Sequence, residues 1–214
     1  MKKLFTLLFG MALAATMSGA RADIQAPDAL IRDTAQEVLA VVKQDKDIQS
    51  GDQKKVLALV ETKVLPHFDF ESITQMTVGK RKFLAATPEQ REAVVKEFRT
   101  LMVHTYTAAF SRYQDQTVDV KPPRMKSGDT EVTIKTLIVK PGSPSSIAVD
   151  YDMEKTDKGW KVVDLKVEGS SMIASYKGTF AEKIHESGMD GLIKFLQDKN
   201  RSNAKDPLRK ADAK

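Results

Sequence analysis

The side chains of this 214-residue chain that could do chemistry are few and scattered. There are three histidines (His67, His104 and His185) and no cysteine. Without cysteine there is no disulfide framework, thiolate zinc or iron–sulfur site, thiol nucleophile or lipid-bearing N-terminal cysteine. No two histidines stand at the spacing of a helix-borne metal site. His67-Phe68-Asp69-Phe70-Glu71 puts polar groups at alternate positions. In an extended chain that is a metal half-site; at the start of a helix Asp69 is a cap and the two phenylalanines are buried. Ser170-Ser171 lies where a strand should give way to a helix, which invites a nucleophile reading. The run Glu168-Gly169-Ser170-Ser171-Met172 lacks the G-x-S-x-G elbow, so helix capping is expected instead. Asp164 and Glu168 on one strand could form an acid–base pair, and both are expected on a solvent face. There is no glycine-rich phosphate loop. Catalytic residues and metal ligands are expected to be absent.

Positioning falls to helices at both ends and strands in the middle. Hydrophobic residues make up 41% and charged residues 29%, which permits a packed core. Ile31, Ala35, Val38, Leu39 and Val42 repeat at helical spacing, as do Val56, Leu57, Leu59, Val60 and Val64 up to Pro66. A short segment from Phe68 ends near Gly79. Thr87-Pro88-Glu89-Gln90 is a capping box that opens the longest helix, running to about Tyr113. Its stripe includes Val94, Val95, Phe98, Leu101, Met102, Tyr106, Ala109, Phe110 and Tyr113.

The period then changes to two. Thr117–Lys121 is a short strand stopped by Pro122-Pro123, Glu131–Lys140 is rich in β-branched residues, and Pro141–Ser145 is a turn cluster. Ile147, Val149, Tyr151 and Met153 alternate with Asp150, Asp152 and Glu154. After the Asp157-Lys158-Gly159 turn, Val163, Leu165 and Val167 fall on one side of the last strand. Trp160 and Val162 compete from the other side, so periodicity leaves the inward face open. Ile173, Tyr176, Phe180 and Ile184 mark a helix that Gly188 breaks, before a short last helix over Asp190–Lys199. This order predicts one α+β domain, an antiparallel sheet of about four strands packed against several helices.

The ends carry the net charge. Lys2-Lys3, the apolar run from Leu4 to Thr16 and Ala20-Arg21-Ala22 read as a secretory signal over residues 1–22, cleaved before Asp23. The apolar run is shorter than the ~20 residues that span a bilayer. The whole chain is formally +5. Residues 1–22 account for +3 and residues 199–214 for +4, so the body, residues 23–198, carries −2. Such a body does not suit nucleic acid. The tail is expected to be a solvated, disordered end.

Several ordered segments resemble the MlaC family, also called the toluene-tolerance auxiliary family. They are Val64-Leu65-Pro66-His67-Phe68-Asp69-Phe70, Ile73-Thr74-Gln75-Met76-Thr77-Val78-Gly79-Lys80, Ala86-Thr87-Pro88-Glu89-Gln90-Arg91, Val149-Asp150-Tyr151-Asp152-Met153, Gly159-Trp160-Lys161-Val162 and Gly188-Met189-Asp190-Gly191-Leu192-Ile193. The sequence departs from the family pattern at Val163, where tyrosine is common.

The resemblance implies a periplasmic phospholipid shuttle with an apolar cavity between sheet and helices. Its implied partners are an outer-membrane lipoprotein–porin complex and an inner-membrane ABC transporter with an MCE-domain subunit. Lipid is the cargo, and no cofactor is implied. The expected lining is Phe98, Leu101, Met102 and Tyr106 from the long helix, with Ile147, Val149, Tyr151, Val163, Leu165 and Val167 from the strands. Lys80, Arg81 and Lys82, read as a turn, are a candidate rim for a headgroup or a partner. The competing reading is a secreted small-molecule or lipid-modifying enzyme built on a similar cavity.

Overall fold

The computed structural model describes residues 24–107, 115–142 and 146–205. The signal segment, the far end of the long helix with Phe110 and Tyr113, the serines of the Pro141–Ser145 turn cluster and the tail beyond Lys205 lie outside the described residues. The chain begins with α1 (Pro27–Gln44), α2 (Lys46–Gln49) and α3 (Gln53–Leu59). A π-helical turn (Val60–Val64) and a 3₁₀ turn (Leu65–His67) lead into α4 (Phe70–Val78), α5 (Lys80–Ala85) and α6 (Pro88–Thr107). Then come β1 (Thr117–Val120), β2 (Glu131–Val139), β3 (Ser146–Thr156), β4 (Gly159–Val167), β5 (Ser170–Ser171) and α7 (Met172–Lys205).

Local chemistry accounts for the helix boundaries. Pro27 opens α1, and Asp45 caps α2 by accepting from the backbone N–H groups of Asp47 and Ile48 at 2.9 and 3.2 Å. Asp69 caps α4 through the Ser72 N–H at 2.9 Å, so the His67–Glu71 run is the start of a helix and not an extended half-site. Thr87 and Gln90 form the reciprocal box at α6: the Gln90 N–H donates to Thr87 Oγ1 at 3.2 Å and the Thr87 N–H to Gln90 Oε1 at 3.1 Å. The backbone of α7 leaves the helical region at Ser187 and Gly188, where Gly188 has φ +67°, so it is two helices end to end, as the glycine suggests. A methyl group on Gly191 would lie 2.2 Å from Ser187 Cβ, which keeps that corner free of a side chain.

The sheet is an antiparallel meander in the order β1-β2-β3-β4-β5, five strands where the sequence predicts about four. The added strand is two residues long and pairs Lys166 with Ser171 and Val167 with Ser170. Such a strand has no periodicity for a sequence to display. Its partner β4 corrects a second expectation. Tyr151 faces Leu165 and Asp152 faces Asp164, yet Met153 faces Val162: the register slips by one residue, with Val163 as the extra one. The bulge reverses the alternation. Leu165 and Val167 on one side of it, and Val162 and Trp160 on the other, therefore share one face, while Val163 leaves that face.

Two apolar clusters cover this face. One packs Ile31 of α1 on Ile134, Met153, Trp160 and Val162. The larger unites α4, α5, α6 and α7 through Ile73, Phe83, Phe98, Leu101, Phe180, Leu192 and Leu196. Phe68 touches both. Of Asp164 and Glu168, expected together at a solvent face, Glu168 is exposed and Asp164 is not. Asp164 is only 7% exposed, and Glu168, at φ +49°, gives its carboxylate to the Ala148 N–H.

Deleting Val163 should remove the bulge and leave a regular strand in which Val162 and Asp164 still face Met153 and Asp152, so Trp160 and Val162 stay on the apolar face. Two buried side chains of this size would lose roughly 4 kcal/mol or more on exposure, a loss the deletion avoids. A cooperative thermal transition by circular dichroism should therefore survive the deletion; its loss, the mark of Trp160 and Val162 turned outward, would refute this account of β4.

Candidate functional site

The register aligns the apolar residues into rows across the sheet. From one end these are Val132–Met153–Val162, Ile134–Tyr151–Leu165, Val120–Thr136–Val149–Val167 and Val118–Ile138–Ile147. Burial falls along this series. Met153 and Val162 are 1% and 0% exposed, Val149 is 6%, and Ile147 at the far end is 49% exposed. Leu165, Val167, Val118 and Ile138 are half-buried. Among the described residues the helices close one end of the face and leave the other open, and an apolar face continuous from core to surface suits an apolar ligand.

Three tyrosines stand around this transition. Tyr151, in the middle of β3, has its phenol pushed up to about 12 by burial, with a partly offsetting hydrogen bond to the Thr136 side chain. Yet Tyr151 retains accessible surface. The Tyr151 phenol is thus deep in the sheet face without being sealed from its surroundings. Tyr106 of α6 is raised by burial first, then by Tyr176 and Asp164. Tyr176 of α7 is raised by burial, against a hydrogen bond with Thr105. All three phenols are therefore kept neutral. Thr136, the buried polar residue on the face, donates its hydroxyl to the Val149 carbonyl at 2.7 Å. Polar atoms on the face thus have partners, and its side chains carry no charge at neutral pH.

The structure brings together most of the residues that the sequence nominated. Phe98, Leu101 and Met102 are at most 5% exposed and lie in the helical cluster, where Phe98 meets the rings of Phe180 and Tyr176 at centroid distances of 4.8 and 5.3 Å. Tyr106 and Leu165 pack against that same cluster. Ile147, Val149, Tyr151, Leu165 and Val167 share the sheet face with it. Val163 does not: it borders a groove of about 980 Å³ in whose walls Lys121, Arg124, Glu131, Asp152, Asp164 and Lys166 stand beside Met76, Val132, Met153 and Ile173. Charged walls of both signs do not suit an acyl chain.

Missed by the sequence reading were Thr136, Val118 and Ile138, which complete the rows. Val118 and Ile138 sit in plain alternation on β1 and β2, so the signal was available. Lys80, Arg81 and Lys82 form the first turn of α5, not a loop.

The groups that invited a catalytic reading are occupied in holding backbone. The Ser171 hydroxyl donates to Asp164 Oδ2 at 2.5 Å and accepts from the Ala174 N–H at 3.1 Å. Asp164 Oδ1 takes the N–H groups of Leu165 and Ile173 at 2.9 and 3.2 Å. Together they cap α7 onto β4. His67, half-buried near Lys161, is shifted toward the neutral form by burial and then by that lysine. Among the described residues no group of three or more His, Cys, Asp or Glu side chains could hold a metal ion.

The tyrosines give a pH signature. In the unfolded chain Tyr151 ionises near pH 10, and in the folded chain near 12. Above pH 10 the unfolded state loses a proton that the folded state keeps, so stability falls as pH rises, by up to about 2.7 kcal/mol for two pH units. Urea titrations at pH 8 and at about pH 11 should show this loss, and Tyr151→Phe should reduce it; an identical loss in the variant would exclude Tyr151 as its source.

Comparison with known proteins agrees with this architecture. A solved phospholipid-binding protein from Ralstonia solanacearum, determined in complex with a phospholipid, matches with a TM-score of 0.78 and 35% identity, covering 84% of this chain and 99% of that one. The intermembrane phospholipid transport system binding protein MlaC of Haemophilus influenzae is 22% identical over 199 residues, 92% of each chain. Toluene tolerance protein ttg2D of Pseudomonas putida is 23% identical over 167 residues, 78% of this chain and 76% of its own. The MlaC protein family model matches residues 32–198, a span that contains the larger helical cluster and the whole sheet, and the chain belongs to the MlaC family.

Proposed function

We propose that this protein is a soluble periplasmic carrier that holds a phospholipid by its acyl chains and moves it between the outer and inner membranes. The apolar sheet face that runs from the core to the exposed Ile147 carries this reading. Acyl chains would lie along the rows of Val149, Val167, Tyr151 and Leu165. Phe98, Leu101 and Met102 would stiffen the wall behind Tyr106, and the headgroup would stay in water at the Ile147 end. The phospholipid complex of the Ralstonia solanacearum relative and the transport role in the name of the Haemophilus influenzae relative support it.

The physical requirement is plain. Each methylene in water costs about 0.8 kcal/mol, so two chains of about fifteen methylenes represent roughly 24 kcal/mol. A carrier must replace the bilayer almost group for group. Such a face needs no buried charge and no catalytic residue, because transfer breaks no bond. The N-terminal signal would deliver the protein to the periplasm. No helix among the described residues is long and apolar enough to cross a membrane. An outer-membrane lipoprotein–porin complex and an inner-membrane ABC transporter with an MCE-domain subunit would be its docking partners.

Protein purified without detergent should carry stoichiometric diacyl phospholipid by mass spectrometry, and a lipid-free preparation would count against the proposal. Photo-crosslinking residues placed at Val149 and Leu165 should capture that lipid, whereas one at Val163 should not. Capture at Val163 alone would move the ligand to the opposite side of the sheet. Treatment with a chelator should leave lipid occupancy unchanged; loss that added metal restores would introduce a cofactor.

A further inference from the structure

The short helix α5 has a surface at odds with its place in the chain. Its sequence is Lys80-Arg81-Lys82-Phe83-Leu84-Ala85, held to the core by Phe83, which is 1% exposed. Lys80, Arg81 and Leu84 point outward, and Leu84, at 53%, has the highest exposure among the large apolar side chains described. Three successive cations occupy the first turn, where the helix dipole favours acids. No side-chain partner for any of the three is found among the described residues. The preceding Gly79, at φ +91°, sets the sharp corner that separates α5 from α4, and no atom lies within 4 Å of where its Cβ would be. The chain thus holds unneutralised cations beside an exposed leucine on a body whose net charge is −2.

We propose that α5 is a membrane-touching element that seats the protein transiently on an anionic bilayer, with Leu84 entering the headgroup layer and Lys80, Arg81 and Lys82 meeting lipid phosphates. Charge complementarity selects this occupant. A compact group of cations gains at an anionic surface, and a single leucine adds apolar contact without anchoring the protein irreversibly. The inference rests on the carrier proposal only in that a carrier must reach a membrane surface.

The chain lacks cysteine, so Leu84→Cys offers a unique site for an environment-sensitive fluorophore. On the full mature chain, the label should shift to the blue with phosphatidylglycerol-containing vesicles and stay unchanged with phosphatidylcholine vesicles. The same label at Glu182, exposed on α7, should stay silent with both. In co-sedimentation, changing Lys80, Arg81 and Lys82 to alanine should weaken partitioning about a hundredfold, since each cation near an anionic surface contributes roughly fivefold. Leu84→Ser should weaken it roughly tenfold. High salt should remove the difference between the triple variant and the parent. The basic C-terminal segment is present in every variant, so its own attraction cancels.

No fluorescence shift with anionic vesicles, or equal partitioning of all variants, would overturn the proposal. So would slowed docking to an acidic protein partner with vesicle binding intact, which would make α5 a protein-docking patch. Lipid occupancy measured on the same preparations keeps the two readings distinct. Bound lipid without vesicle contact removes this inference alone, and vesicle contact without bound lipid removes the carrier reading alone.

Discussion

The bulge at Val163 keeps Trp160 and Val162 on the same side of the sheet as Leu165 and Val167, and the continuity of the apolar face depends on it. The same sequence paired regularly through Val163 would turn one of these pairs toward the charged side, because side-chain direction alternates strictly along a strand. With the bulge, four strands present matched rows from Val132–Met153–Val162 to Val118–Ile138–Ile147. The α1 and helical clusters then cover that face unevenly, closing one end and leaving the other open.

The opposite side of the sheet supports this arrangement. Lys135, Asp150 and Lys166 alternate in charge across three strands, and Lys166 reaches Asp152 at 2.6 Å. One step further on, Asp164 anchors α7 through Ser171 and the Ile173 N–H. That contact fixes the entrance of the helix carrying Tyr176 and Phe180, so the polar side determines where the helical layer stands over the apolar face. Serine and aspartate beside one another suggest catalysis in a sequence. Here each oxygen of the pair is engaged in capping, and the chemistry they support is packing.

Much of the fold was legible. The Thr87–Gln90 box, the glycine break at Gly188, the alternation of β3 and the Asp157-Lys158 turn all rest on local rules that act within a few residues. The face of β4 was half legible. Trp160 and Val162, against Val163, Leu165 and Val167, are two alternating sets out of phase by one residue, and such a phase break is the mark a bulge leaves. Choosing between a bulge and two competing faces required the partner strand, since register is a property of the pair. The two-residue β5 and the six-residue α5 were hidden for another reason: neither is long enough to complete a period.

The sequence by itself determined the α+β order, the helix caps and, through ordered segments such as Val149-Asp150-Tyr151-Asp152-Met153, the family. Those depend on residue type and short spacing. Tertiary structure alone decided that Val163 lies outside the apolar face, that Asp164 is buried as a cap, that Tyr151 is both deep and accessible, and that Ile147 marks the open end. Each of these depends on which residues approach from distant parts of the chain. Burial is a property of the assembled layers and not of any segment within them.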